Sequence, residues 1–369
     1  MVANSTGIPI EQIDVSAYVM PTDFPESDGT HEWNNTTLVL VEALAGGKKG
    51  IGFTYSSLAA ATLVHEALID AVKGRDAMAV TASWLSMVRA VGNPGRPGIA
   101  STAIAAVDNA LWDLKARILD LPLVTLLGQV HEAIPVYGSG GFTSYSIARL
   151  EDQFAGWMSS GFGMVKMKVG RYPEDDFNRV KAARRVIGTG GELLVDADGA
   201  YSRKEALAYA RQFSDFGVTW FEEPVASDDL EGLHLIRDRA PAGMNIVAGE
   251  YGYDLSYFRQ MLQAGAVDVL QADATRCAGI TEFMRVGALC EAHSLPLSAH
   301  TAPSIHAHPC CALARAVNVE YFYDHARIER MFFDGVLDPI GGVLRPDLSR
   351  PGMGLEFKRS DAERFAARA

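Results

Sequence analysis

The sequence predicts an α/β protein, a modified TIM-type (β/α)8 barrel carrying an N-terminal α+β capping domain. Three observations predict it. Short apolar segments recur from Ile134 onward at intervals of about 20 to 30 residues, with helix-like stretches between most of them. The first 125 or so residues lack this alternation and read as strands followed by helices. Nearly every apolar segment of the second part ends in a titratable side chain, as expected where strand ends converge on one mouth.

In the first part, Thr37–Ala43 is β-branched and apolar, and Gly46-Gly47-Lys48-Lys49-Gly50 separates it from Ile51–Tyr55. Two strands around a glycine-rich turn make a hairpin. Helices are expected over Ala60–Val72, Ala77–Val91 and Ile99–Leu119, the last with Ile104, Val107, Leu111, Leu114 and Ile118 at spacings of three and four. In the second part the strand candidates are Ile134–Tyr137, Val165–Lys168, Leu193–Asp196, Val218–Glu222, Asn245–Ala248, Val267–Leu270, Leu295–Ser298 and Val317–Glu320. Eight strands with helical crossovers favour a barrel over an open doubly wound sheet. Neither GxGxxG nor a Walker A sequence is present, so no nucleotide site is expected.

The 369 residues are 48% hydrophobic and 21% charged, with a formal net charge of −12, which argues against a phosphate-binding surface and against nucleic acid as a partner. The start, MVANSTGIPIEQID, has no basic region and no long apolar stretch, and no segment approaches about 18 consecutive apolar residues. A cytoplasmic protein without a secretory signal or membrane span is expected. Cys277, Cys290, Cys310 and Cys311 lack CxxC spacing and read as reduced, mostly buried thiols.

Asp196, Glu222 and Glu250 end three successive strands, 26 and 28 residues apart, so their carboxylates can meet around one ion. Three hard oxygen ligands favour Mg2+, or Mn2+, over zinc. Any of these acids alone would more often be a surface charge. Glu223 faces away from Glu222 and is expected to serve as an ion-pair partner or as a supporting group behind the ligands; Asp198 is placed near the ion or in a turn. Lys166 and Lys168 share one strand face, where two neighbouring cations are expected to depress each other's pKa and suit one of them to base catalysis. Asp273 ends the sixth strand and His300 the seventh; a carboxylate on one ring nitrogen leaves the other to move a proton. His306 and His308 lie beyond the strand and are not assigned to catalysis.

These segments resemble the enolase superfamily and, within it, the mandelate racemase subgroup. The resemblance rests on Val165–Val169, Val195-Asp196-Ala197-Asp198, Trp220–Pro224, Ala248-Gly249-Glu250, Asp273–Gly279 and Ser298-Ala299-His300, in family order. Ala105–Lys115 resembles the helix leading into the barrel, and Pro351–Leu355 the segment that returns to the cap. It implies a cap over residues 1–125, a barrel over 126–340 and a returning segment over 341–369. It further implies Mg2+ on Asp196, Glu222 and Glu250, Lys168 as base on one face, and the His300/Asp273 pair as acid/base on the other. Lys166 would help hold the substrate carboxylate and Glu320 would hydrogen-bond it. Asp198 departs from the Asn often found in the family.

The implied reaction is α-proton abstraction from a carboxylic acid to an enediolate, followed by loss of water from a sugar acid to give a 2-keto-3-deoxy acid. The alternative is racemisation or epimerisation of a 2-hydroxy or amino acid derivative by two bases. A non-catalytic ligand-binding barrel is disfavoured because it has no chemical use for both bases and three carboxylates. A metal-dependent hydrolase is disfavoured because it usually needs histidine ligands. The expected partners are a small-molecule carboxylate and further copies of the chain in a homo-oligomer, with neither nucleic acid nor a membrane. Substrate choice is assigned to a cap loop, Met20–Asn35, and to Phe53–Ser57.

Overall fold

The computed structural model describes residues 7–367; the first six residues of the N-terminal stretch lie outside it. Eight parallel strands close into a barrel: β4 (Ile134–Gly140), β5 (Met164–Lys168), β6 (Glu192–Asp196), β7 (Val218–Glu222), β8 (Asn245–Ala248), β9 (Val269–Ala272), β10 (Leu297–Ala299) and β11 (Ala316–Phe322). Closure is a parallel pairing of β11 with β4 that sets Glu320 opposite Tyr137. The eight strand positions agree with the sequence reading to within a few residues.

The barrel interior is plugged by Tyr137, Leu194, Trp220, Val247 and Val269, each from a different strand. This layer is apolar except for two polar tips, and both are used: Trp220 Nε1 donates to Glu222 Oε2 at 2.9 Å, and Tyr137 OH accepts from Gln271 Nε2 at 3.2 Å. It forms a dry floor beneath the strand ends.

The cap is a three-stranded antiparallel sheet, β1 (Gln12–Ser27), β2 (Glu32–Ala45) and β3 (Lys48–Tyr55), followed by helices. The expected β2–β3 hairpin is present, but β1 precedes it, and the expected loop Met20–Asn35 is largely strand. Pro21, Asp23, Pro25 and Gly29 gave that stretch the composition of a loop. The structure absorbs the prolines in a register shift between Pro21 and Glu26; bulges tolerate residues that cannot donate to the ladder. Only the tip turns, where Asp28 Oδ1 accepts from Thr30 N at 2.7 Å and His31 N at 2.6 Å. Ser27 Oγ and Thr143 Oγ1, 2.6 Å apart, dock this tip onto the loop after β4, and Trp33 stands edge-on to Phe142 at 5.6 Å.

The helix Ile99–Ile118 is buried along most of its length between the cap sheet and the barrel. Its apolar face carries Ile104, Val107, Leu111 and Leu114. On the barrel side Asp108 accepts from Thr281 N at 2.8 Å and Oγ1 at 2.7 Å, and Asn109 Oδ1 accepts from Ile280 N at 3.0 Å. These bonds fix the loop that follows Asp273. The C-terminal segment returns across the same helix, with Met353 N donating to Asp113 Oδ1 at 2.6 Å. All four cysteines are buried and free. Among the described residues no helix is long and apolar enough to cross a membrane.

His308, on the buried helix Pro303–Cys311, contacts the Met353 carbonyl through Nε2 at 3.3 Å, and burial lowers its pKa from 6.5 to about 4. The unfolded chain therefore binds the extra proton between those values. Stability is retained above about pH 6.5 and is lost as pH falls toward 4, by up to about 3 kcal/mol from this group. Urea unfolding of wild type and His308→Gln at pH 7 and pH 5 is expected to show a smaller pH-dependent loss in the variant; equal losses would contradict this assignment.

Candidate active site and metal centre

The strand ends carry the site. Lys166 and Lys168 point into the mouth from β5, Asp196 ends β6, and Glu222 ends β7. Glu250, Asp273 and His300 lie just past β8, β9 and β10, and Glu320 lies within β11. All eight are buried. Gly249 has φ +135°, and a Cβ there would come within 2.1 Å of the Gln271 carbonyl, so only glycine lets the chain turn Glu250 inward. Asp198, Glu223, Thr301 and Ala302 also have positive φ, at +47°, +38°, +52° and +38°. Strained backbone of this kind persists where the surrounding structure over-determines it.

Asp196, Glu222 and Glu250 each offer an oxygen within 4.8 Å of the others. The two lysines lie against them. Lys166 Nζ contacts Glu222 Oε1, Asp196 Oδ2 at 3.0 Å and Glu320 Oε1 at 2.9 Å. Lys168 Nζ lies 2.6 Å from Asp196 Oδ2 and 3.0 Å from Asp198 Oδ1. On the far side, His300 Nδ1 is 2.8 Å from Asp273 Oδ2, and His300 Nε2 is 3.2 Å from Glu250 Oε2 and 3.6 Å from Glu320 Oε2. Both ring nitrogens face carboxylate oxygens. Strands β5 and β10 stand across the barrel, which puts Lys168 and His300 on opposite sides of the carboxylate cluster.

The donor set fits a divalent cation. Buried carboxylates at Asp196, Asp198, Glu222, Glu223, Glu250, Asp273 and Glu320 outnumber the cationic groups at Lys166, Lys168, Arg276 and His300. Glu250 Oε2, Asp198 Oδ2 and Glu223 Oε1 are buried without a hydrogen bond. With only the protein's own groups to balance the charge, burial and then neighbouring acids push Glu222, Glu223 and Asp198 well above the carboxylate range. Burial works against the charged forms of Lys166 and Lys168, yet the surrounding carboxylates outweigh it and raise both lysines. The mutual depression expected from two adjacent lysines is thus a minor effect beside Asp196, Asp198, Glu222 and Glu320.

Glu320 is raised by burial, but Lys166 and His300 outweigh that and bring it down to about 2. It accepts from Ser139 Oγ at 2.5 Å and Thr301 N at 3.1 Å. It is therefore a carboxylate, and donating a hydrogen bond to a substrate carboxylate requires it to take up a proton with that substrate. Asp273 is held low against burial by its hydrogen bond to His300. Glu223 makes no ion pair among the described residues, which leaves the other expected role, a buried supporting group behind the ligands.

His306 is structural: Nδ1 donates to Thr301 O at 2.8 Å and Nε2 accepts from Ala274 N at 2.8 Å. Arg276 was not singled out from the sequence. It donates to Glu250 Oε1 at 3.0 Å and lies 3.8 Å from Asp273 Oδ2. Its place three residues after a strand-end acid was the available signal. A cavity of about 240 Å3 opens above the cluster, lined from the barrel by Lys168, Glu250, Arg276, His300 and His325 and from the cap by Asp28, His31, Trp33 and Thr36. A larger cavity of about 690 Å3 lies elsewhere, around Trp157, Tyr321 and Arg330, away from these residues.

Comparison with known proteins agrees with this geometry. A family model described as "Enolase C-terminal domain-like" matches residues 149–362, and one described as "Mandelate racemase / muconate lactonizing enzyme, N-terminal domain" matches residues 13–128. The chain is 32% identical over 361 residues to the 3,6-anhydro-alpha-L-galactonate cycloisomerase of Streptomyces coelicolor, covering 95% of this chain and 98% of that one. A mandelate racemase/muconate lactonizing enzyme-like protein from Rubrobacter xylanophilus superposes with a TM-score of 0.96 at 53% identity, covering 97% and 100% of the two chains. The L-talarate/galactarate dehydratase of Salmonella typhimurium, liganded with Mg and L-lyxarohydroxamate, superposes with a TM-score of 0.91 at 26% identity, covering 100% and 95%. Further relatives are named as acid-sugar dehydratases or cycloisomerases.

Titration with Mg2+ read by thermal unfolding is expected to raise the wild-type Tm. Glu222→Gln should weaken that response by more than the roughly 10- to 100-fold typical of losing a ligand's supporting partner. Lys168→Ala should retain it, because the substitution removes a cation that competes for Asp196 Oδ2. An undiminished response in Glu222→Gln would remove the cluster as the metal centre.

Proposed function

The chain belongs to the enolase superfamily, in its mandelate racemase/muconate lactonizing enzyme subgroup, and from that premise we propose that it dehydrates a sugar acid to a 2-keto-3-deoxy acid with Mg2+ as cofactor. The observation that carries this reading is the placement of Lys168 and the His300/Asp273 pair on opposite sides of the Asp196, Glu222 and Glu250 carboxylates. In this reading residues 1–125 form the cap, 126–340 the catalytic barrel and 341–369 the strap back to the cap.

Removing a proton α to a carboxylate places a second negative charge on a group that already has one. Asp196, Glu222 and Glu250 would hold a divalent ion, which would supply positive charge against that carboxylate and offset part of the field of Asp196 on Lys168. Lys166, buried beneath the site, adds a second fixed positive charge where the enediolate develops. Lys168 Nζ, as the free amine, takes the α-proton, and the C–H pair becomes the carbon–carbon double bond of the enediolate. His300 Nε2 then gives its proton to the β-oxygen, which leaves as water as the pair moves to form the enol of the product. Asp273 keeps the imidazole oriented through Nδ1. The enol becomes the 2-keto acid on protonation at carbon.

Cycloisomerisation is a second reading, favoured by the name of the Streptomyces relative. It uses the same first step and differs in the group expelled from the β-carbon.

A screen of mono- and diacid sugars with saturating Mg2+, read for 2-keto product and for solvent deuterium at the α-carbon, tests the proposal. Wild type is expected to turn over at least one acid. Lys168→Ala and His300→Asn should each lower kcat by at least about 100-fold, the scale of positioned acid–base catalysis. A product of unchanged formula with an inverted α-carbon would assign two-base racemisation instead. Absence of both turnover and exchange across the library would sink the reading.

A further inference from the structure

His325 is a residue of the cavity wall to which this mechanism gives no task. It sits in the first turn of the helix Tyr323–Phe332, directly after β11, and is 8% exposed. Its ring lies flat on Tyr55 of the cap, with centroids 3.4 Å apart and planes 8° apart, and edge-on to Phe322 at 4.9 Å. The two aromatic contacts hold the imidazole at the seam between cap and barrel. They restrict its rotation but satisfy neither nitrogen.

Nδ1 is buried with no hydrogen-bond partner. Nε2 also makes no hydrogen bond, and it is absent from the sealed atoms, so it is the ring nitrogen open to the cavity. Burial lowers the pKa of this ring well below the usual histidine value, and His300 adds to the effect, so the imidazole is neutral and carries one proton. An orphaned buried N–H is rarer in proteins than an orphaned acceptor. The proton therefore belongs on Nε2, leaving the lone pair on sealed Nδ1. The result is a fixed neutral donor aimed into a cavity lined also by the cations Lys168 and Arg276 and by Thr36, Tyr251 and Thr301. A ligand oxygen placed against this open donor takes over a hydrogen bond that only solvent would otherwise supply.

We propose that His325 determines substrate specificity by donating a hydrogen bond from Nε2 to one hydroxyl of the sugar-acid chain, beyond the reacting carbons and on the His300 side of the site. A neutral donor suits a hydroxyl, whereas the cations Lys168 and Arg276 suit a carboxylate. The location follows from the topology, since the helix bearing His325 begins at the end of β11, directly beside the β10 end that presents His300 and two strands from the β5 end that presents Lys168. The inference deepens the sugar-acid reading above and rests on it.

The test is binding measured by calorimetry with Mg2+ present, in a Lys168→Ala background that does not consume the ligand. The ligands are aldonates and aldarates and their singly deoxygenated analogues. His325→Phe preserves the ring stack on Tyr55 and removes the donor; His325→Gln restores one. The best-bound acid is expected to bind about tenfold more weakly to the Phe variant, the worth of one hydrogen bond. One deoxy analogue should bind both proteins equally, and the Gln variant should recover affinity for the parent acid. If the Phe variant unfolds, His325→Leu serves for the same comparison. Equal affinities in Phe variant and parent for every acid would overturn the assignment, with water as the partner of Nε2. A uniform loss that includes every deoxy analogue would also overturn it, as a packing effect. Binding of no acid at all by the parent would overturn the sugar-acid reading along with it.

Discussion

The structure depends on one electrostatic constraint: a barrel mouth that buries more carboxylates than cations. Burying an ionised carboxylate is costly unless it is paired and hydrogen-bonded. Lys166 alone reaches Asp196, Glu222 and Glu320, and Lys168 ties Asp196 to Asp198. These pairs leave an excess of negative charge centred on the three acids whose oxygens lie within 4.8 Å of one another. The same excess makes the place suitable for a divalent cation and then for an anionic substrate carboxylate beside it. The apolar plug of Tyr137, Leu194, Trp220, Val247 and Val269 makes the constraint severe, since it keeps water from entering beneath the charges.

Holding such a cluster requires rigid supports, and the fold supplies them from two directions. Within the barrel, adjacent parallel strands set Lys168 beside Asp196 and Asp196 beside Glu222 in register. The strain appears where the chain leaves the strands, at Asp198, Glu223, Thr301 and Ala302. From outside, Asp108 and Asn109 on the long cap helix grip the loop after Asp273, which carries Arg276. The cap hairpin then closes the cavity, with Asp28 at its tip and Trp33 on β2 docked against the loop after β4. Cap and barrel thus share one site, the barrel providing the charged groups and the cap the wall opposite them.

This division explains which parts were legible in sequence. The eight barrel strands announced themselves because each is a short apolar run and most have a titratable residue at or just past their end. The spacing of Asp196, Glu222 and Glu250 followed from one strand–helix unit per ligand. The first cap strand was hidden, because its prolines and turn residues mimic a loop and its pairing with β2 is nonlocal until Thr37 is reached. Between the two roles open to Glu223, ion-pair partner or supporting group, the sequence could not choose, since its burial depends on how β7 meets β8 and on no local pattern.

The sequence by itself determined the family, the barrel and the strand-end residues that reach its mouth, because strand periodicity and strand-end position are local properties of the chain. Only the tertiary structure decided the charge state of those residues and the shape of the space above them. Lys166 and Lys168 read as mutually repelling cations in sequence, but in space each is surrounded by acids drawn from other strands, and the sum of those fields reverses the sign of the effect. His325 carried no local signal at all. Its significance arises from a cap tyrosine 270 residues earlier in the chain, stacked on its ring at the seam of the two parts.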